Sequence, residues 1–175
     1  MLNDFYWKVV YPAVTYGIVI WGNCNATQFK ALEKMHARAA RIVHGLNWNM
    51  PTEQVLAKTN WTTLESTYKL RLLCLAHKCY NEQAPKQICE AMIIKPGNHH
   101  YNLRDHYKLT TTRPTTNYLL KSATHRFAMA WNCLPQAIKS QPHFISFKRK
   151  LEDYNLNNID FNTPFTNKNT DYVYY

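Results

Sequence analysis

The sequence predicts a mainly α-helical fold, a small helical bundle followed by a C-terminal extension of helical or mixed character. Three observations predict it. Apolar residues recur at spacings of three and four over two long stretches, roughly 27–44 and 62–80. Both stretches carry boundary chemistry, with Gly45 closing the first and Thr62-Thr63-Leu64-Glu65 opening the second. Alternation of β-branched residues is confined to Lys108–Arg113 (KLTTTR), the one place where a short β segment is expected.

In chain order, Asn3 to Val14 is aromatic and apolar on most sides, which suits a buried helix interrupted near Pro12. A turn follows at Trp21-Gly22-Asn23. The helix from about Thr27 to His44 is the most legible element. At about 100° per residue, Phe29, Leu32, Met35, Ala39, Ile42 and Val43 share one broad face, with Lys30, Lys34, Arg38 and Arg41 opposite. Thr52 is placed to cap a short helix that ends near Asn60. The next helix runs to about Tyr80. Its stripe of Leu64, Tyr68, Leu72, Leu75 and Cys79 is widened by Leu70, Leu73 and Cys74, so it should be central. Pro85 suits the first position of another short helix that stops before Pro96. Further on, His125–Trp131 reads as a helix, and Pro142 opens a last one with Phe144, Ile145, Phe147, Leu151 and Tyr154 as its apolar set. The Asn-rich end, 155–175, has no pattern and is expected to be loosely ordered.

Twenty-one Lys and Arg against eleven Asp and Glu give a net charge of +10, which points to an anionic partner such as nucleic acid. The charge is +3 over 1–60, +3 over 61–110, +5 over 111–154 and −1 in the tail, so the tail lies outside the basic function. Four glycines leave little material for a phosphate-cradling loop. The start has no signal-peptide pattern, the longest apolar run (14–21) is far too short to span a bilayer, and five scattered cysteines make no disulfide framework. The expected setting is therefore intracellular, nuclear or cytoplasmic, without a membrane.

No catalytic or metal set emerges, and neither a cofactor nor a small-molecule substrate is expected. Cys74, His77 and Cys79 lie inside a Leu-rich helix, which favours core packing over zinc binding, and His99, His100 and His106 form only a loose group. The adjacent carboxylates Glu152-Asp153 sit beside Lys148, Arg149 and Lys150, as in a solvated helix end. Metal-dependent phosphoryl transfer needs converging carboxylates, and none can be assembled. The stripe Lys30, Lys34, Arg38 and Arg41 is the better signal. A merely soluble face usually mixes signs, whereas cations at four-residue spacing repel unless an anion relieves them. Such a stripe can follow phosphates without reading sequence.

These residues carry a resemblance. YGIVIWGNC (16–24), LEKMHARAARIVHG (32–45), NW (60–61), LRLLCLAHKCYNEQAP (70–85), NLR (102–104) and AWNCLPQAIKSQPHFISFKRKLEDY (130–154) occur in an order similar to the region after the palm in non-LTR (LINE-type) retrotransposon reverse transcriptases. The family pattern has NGLAP where this chain has NEQAP, and LWNSLP where it has AWNCLP. The resemblance spans about 5–154. It implies thumb-like helices with a basic stripe over 1–48, a helical bundle over 49–96, a C-terminal extension over 97–154, and the tail 155–175.

In such a polymerase the thumb grips an RNA–DNA or RNA template–primer beside the palm. The implied contacts here are Lys30, Lys34, Arg38 and Arg41, with Lys148, Arg149 and Lys150 as a second basic cluster. The chain has no Asp-Asp pair, so the resemblance implies a non-catalytic fragment whose missing partner is the palm. The alternative is a structural or protein-interaction remnant that once packed on a palm and has no role with nucleic acid.

Overall fold

A computed structural model describes residues 1–92, 107–111, 115–116, 119, 122–154 and 156, and it is mainly helical as the sequence predicts. The elements are α1 (Leu2–Phe5), a π-helical turn (Tyr6–Val10), α2 (Tyr11–Thr15), α3 (Ile18–Trp21), α4 (Ala26–His44), α5 (Thr52–Thr59), α6 (Leu64–Tyr80), α7 (Lys86–Met92), α8 (Ala123–Asn132), α9 (Gln136–Lys139) and α10 (Phe144–Asp153). No strand occurs among the described residues.

The first helix is not interrupted at Pro12. Proline has no N–H and its ring crowds the carbonyl four residues back. The chain answers by widening the preceding turn, where the Tyr11 N–H donates to the Tyr6 carbonyl, and it continues as a helix. Gly17 then takes a left-handed φ of 62° and redirects the chain into α3. The end of α3 lies hard against α6, because a Cβ on Gly22 would stand 2.5 Å from Tyr68 Cδ2, besides crowding the Ile18 carbonyl of α3 itself.

Capping confirms some sequence readings and shifts others by one residue. Gly45 ends α4 with φ 61°, and both its N–H and that of Leu46 bond the Arg41 carbonyl. The Asn25 side chain accepts from the Thr27 N–H at the other end. Thr52 is not a cap; it lies inside α5, which Pro51 precedes. The box at Thr62 and Glu65 does not form either. Thr63 is the N-cap of α6, accepting from the Ser66 N–H at 3.0 Å, and the Leu64 N–H donates to Glu33 of α4 at 3.1 Å. Glu65 is thereby free to pair with Lys69 at 2.8 Å. Likewise Pro85 precedes α7, accepting from Ile88 and Cys89, instead of standing inside it.

Among the described residues, two hydrophobic clusters make the core. The larger centres on α6, whose Tyr68, Leu72, Leu73, Ala76 and Cys79 meet Ile18 of α3, Phe127 and Trp131 of α8, and Phe147 and Leu151 of α10. The breadth of the α6 apolar surface is thus used on several sides, as a central helix requires. The smaller cluster joins Tyr6, Ala37 and Ala40 of α4, Val55 and Leu56 of α5, and Trp61. Tyr11 Oη bonds Thr67 Oγ1 at 2.8 Å, and Arg71 holds the Thr15 carbonyl at 2.7 Å, tying α2 to α6.

The β segment is replaced over 108–111 by irregular chain, and 112–113 lie outside the described residues. Leu109 is buried there, and the Asn132 side-chain amide both accepts from its N–H and donates to its carbonyl, each at 2.9 Å. One side-chain amide does what a neighbouring strand would do, so a single buried Leu among β-branched residues produced the strand-like signal. In α10, Phe147 and Leu151 are buried as expected, but Ile145 faces water. The tail beyond 156 and the histidines at 99, 100 and 106 lie outside the described residues.

Candidate nucleic-acid interface

The face that α4 turns to the core is not the one its large apolar residues indicate. His36, Ala37 and Ala40 are buried and Glu33 is partly so, whereas Met35 and Ile42 are 67% and 55% exposed. The packed face is rotated by about a quarter-turn from the expected one. Small alanines permit close approach to α5, and two polar residues are drawn inward by specific partners.

His36 is the first of these. Its Nε2–H donates to the Thr62 carbonyl at 3.1 Å, so Nδ1 carries no proton and accepts from the Tyr6 hydroxyl. Tyr6, Trp7, Tyr11 and Trp61 surround the imidazole, with Trp61 stacked on Tyr6 at 4.5 Å. Burial holds His36 below its ordinary pKa and pushes the Tyr6 phenol up to about 12, which keeps the phenol a donor. Glu33 is the second. Burial raises its carboxyl, while the Leu64 and Glu65 amides lower it, and its charge is spent capping α6.

His77, in the larger cluster, is lowered by burial as well, with its ring stacked on Phe147 at 4.2 Å and Nε2 donating to Gln141 O at 2.7 Å. Both histidines fold neutral, and the unfolded chain takes up their protons near pH 6.5. Their stabilisation is therefore present above that value and lost as pH falls through the lower folded pKa values. Glu33 acts in the opposite sense, but it is one group against two. The melting temperature should fall between about pH 7.5 and about pH 5.5, and His36→Gln should flatten that dependence. A melting temperature that is flat or rises on acidification would contradict this.

The cations divide. Lys30, Lys34 and Arg38 are exposed, and none of them makes an ion pair with a described residue. Arg41 does not stand with them. It is half-buried, with Nη2 donating to the Met50 carbonyl at 2.6 Å, and it fastens the loop after α4. Lys30 and Lys34 also line a groove of about 640 Å³ together with Phe29, Leu56 and Trp61 and the carboxylates of Glu33, Glu53 and Glu65. Those carboxylates repel phosphate from the groove, so the surface favourable to a polyanion runs outward from Lys34 to Arg38.

In the second basic cluster, Lys148 pairs with Glu152 at 3.5 Å, while Arg149 and Lys150 are exposed. Lys78, which the sequence reading passed over, lies over the Phe144 ring at 4.6 Å and, with Lys148, acts electrostatically on Cys74. The structure does not merge the two basic segments into one packed unit: α4 lies on the smaller hydrophobic cluster and α10 on the larger.

Sequence reasoning also missed Trp48. It sits 58% exposed in the turn after α4, with the Arg38 guanidinium over its ring at 5.5 Å. The only sequence signal was an aromatic residue between polar ones just past a basic helix (LNWNM, 46–50).

Cys74 and Cys79 are packed thiols. Burial raises both, Cys79 to about 12, and no group of three or more potential metal ligands occurs among the described residues. No described helix is long and apolar enough to cross a membrane. No protein-family model, curated protein or solved structure matches the chain.

Proposed function

We propose that the chain is a non-catalytic nucleic-acid-binding domain similar to the thumb and C-terminal region of LINE-type reverse transcriptases, holding a template–primer by its phosphates. One observation carries the reading. Lys30, Lys34 and Arg38 are exposed on one helix and make no ion pair with a described residue, while the carboxylate of the nearby Glu33 accepts a hydrogen bond at the N-terminus of α6. Arg149 and Lys150 add a second, weaker site, and Arg41 supports the first from behind. The order of the motifs from Tyr16 to Tyr154 supports the family likeness, and the absence of Asp-Asp from the sequence supports a non-catalytic role.

Fluorescence anisotropy with an RNA–DNA duplex tests it. Replacing Lys34→Glu together with Arg38→Glu should weaken binding at least ten-fold, since each removes an attraction and adds a repulsion. Undiminished affinity would remove α4 from the interface.

A second reading, a protein-facing remnant, is favoured by Leu2, Phe5 and Val9. These stand exposed at helical spacing on the first helical segment. It predicts self-association that nuclease treatment does not change.

A further inference from the structure

Trp48 is the largest apolar side chain exposed beside the outward cations of α4. Its turn is fixed from several directions. The Leu46 N–H bonds the Arg41 carbonyl at 3.0 Å, and the Asn47 side chain accepts from the Asn49 N–H at 3.0 Å. The Met50 N–H reaches the Asn47 carbonyl at 3.3 Å, and Arg41 Nη2 holds the Met50 carbonyl at 2.6 Å. The indole is therefore presented by a braced turn.

The Arg38 guanidinium lies over the ring at 5.5 Å, and the residue remains 58% exposed. Arg38 and Lys34 continue along α4, one helical turn apart, without acidic partners among the described residues. An indole on a braced turn next to Arg38 and Lys34 has the two components that single-strand binding needs, a π-face for a base and charges for the phosphates on either side of it. A base inside a duplex is stacked on both faces and cannot use the indole. An unpaired one can.

We infer that Trp48 is a stacking platform for an unpaired nucleotide, so that the α4 surface takes single-stranded nucleic acid or the unpaired stretch beside a duplex. This rests on the nucleic-acid reading above and adds a substrate class to it. Charge favours a polyanion over a protein partner: Lys34 and the Arg38 beside Trp48 make no ion pair with a described residue, in a chain of net charge +10.

Three labelled probes of equal length test it on the full chain: an oligothymidylate strand, an abasic strand, and an RNA–DNA duplex. Trp48→Ala should weaken the thymidylate strand about ten-fold while leaving the abasic strand and the duplex within about two-fold, and Trp48→Phe should restore most of the loss. Circular dichroism should show all variants folded, because the replaced ring is mostly in water.

Equal effects of Trp48→Ala on base-bearing and abasic strands would overturn the stacking role. If all three probes bind and respond to Lys34→Glu with Arg38→Glu but not to Trp48→Ala, stacking fails and the phosphate reading stands. If no probe binds, both fall. A concentration-dependent dimer that Trp48→Ala abolishes, with strand binding unchanged, would instead assign the surface to a second copy of the chain and overturn the inference.

Discussion

Trp131→Ala should destabilise the protein by about 3–5 kcal/mol, the range for removing a large aromatic from a packed core. Trp131 is fully buried in α8, stacked on Tyr80 at 5.3 Å and Phe147 at 6.1 Å, so its loss opens a cavity between α6, α8 and α10. It also has a polar task. Its Nε1–H donates to the Tyr107 carbonyl at 2.7 Å, next to the Asn132–Leu109 pairing that holds the same segment. Trp131→Phe separates the two effects. It retains most of the packing and removes the hydrogen bond to the Tyr107 carbonyl, for a cost of about 1–3 kcal/mol. Urea unfolding gives both values, and hydrogen exchange at the Leu109 amide should accelerate in the Phe variant ahead of global unfolding. Equal stability of all three proteins would mean that 107–109 is not docked on α8 as described.

The second large effect is expected from the smallest possible change. Gly22→Ala should cost about 3 kcal/mol through overpacking. The φ of Gly22 is −60°, which any residue adopts, so no dihedral strain is involved. The obstacle is space: the added methyl would stand 2.4 Å from the Ile18 carbonyl oxygen of α3 itself and 2.5 Å from the Tyr68 ring, so the end of α3 must both reshape and draw back from α6 to admit it. Gly45→Ala is the informative control. Nothing lies within 4 Å of its Cβ position, but its φ of 61° is left-handed, so only the backbone term remains, about 1–2 kcal/mol. Chemical denaturation should rank Gly22→Ala below Gly45→Ala. The reverse order would mean that α3 and α6 approach less closely than these distances require.

The helices that could be read from the sequence were those whose signals are local. Gly45 ends α4 by its own freedom at positive φ, and the width of the α6 stripe announces a helix packed on several sides. What could not be read depends on partners far away in the chain. The N-terminus of α6 is satisfied partly by Glu33, thirty-one residues earlier, so the local box at Thr62 and Glu65 was not needed. The rotation of α4 follows from Tyr6 and Thr62 claiming His36, and from alanines that a count of large apolar residues ignores. Asn132 standing in for a strand partner of Leu109 is of the same kind.

For the interface, the exposure of Lys30, Lys34 and Arg38 followed from the wheel. The withdrawal of Arg41 did not, because its partner is the Met50 carbonyl in the loop after α4, which only the path of the chain brings within reach. Trp48 lay outside any periodic element, and only the path of its turn brings it to Arg38.

The central claim is that outward cations of α4 neutralise phosphates, and its most direct test is the salt dependence of RNA–DNA duplex binding. Each phosphate contact contributes about −0.9 to the slope of log affinity against log salt, so Lys34→Ala with Arg38→Ala should reduce the slope by about 2. Arg41→Ala, which removes a loop brace, should lower stability and leave the slope near that of the wild type. A slope unchanged by the Lys34 and Arg38 pair would contradict the account.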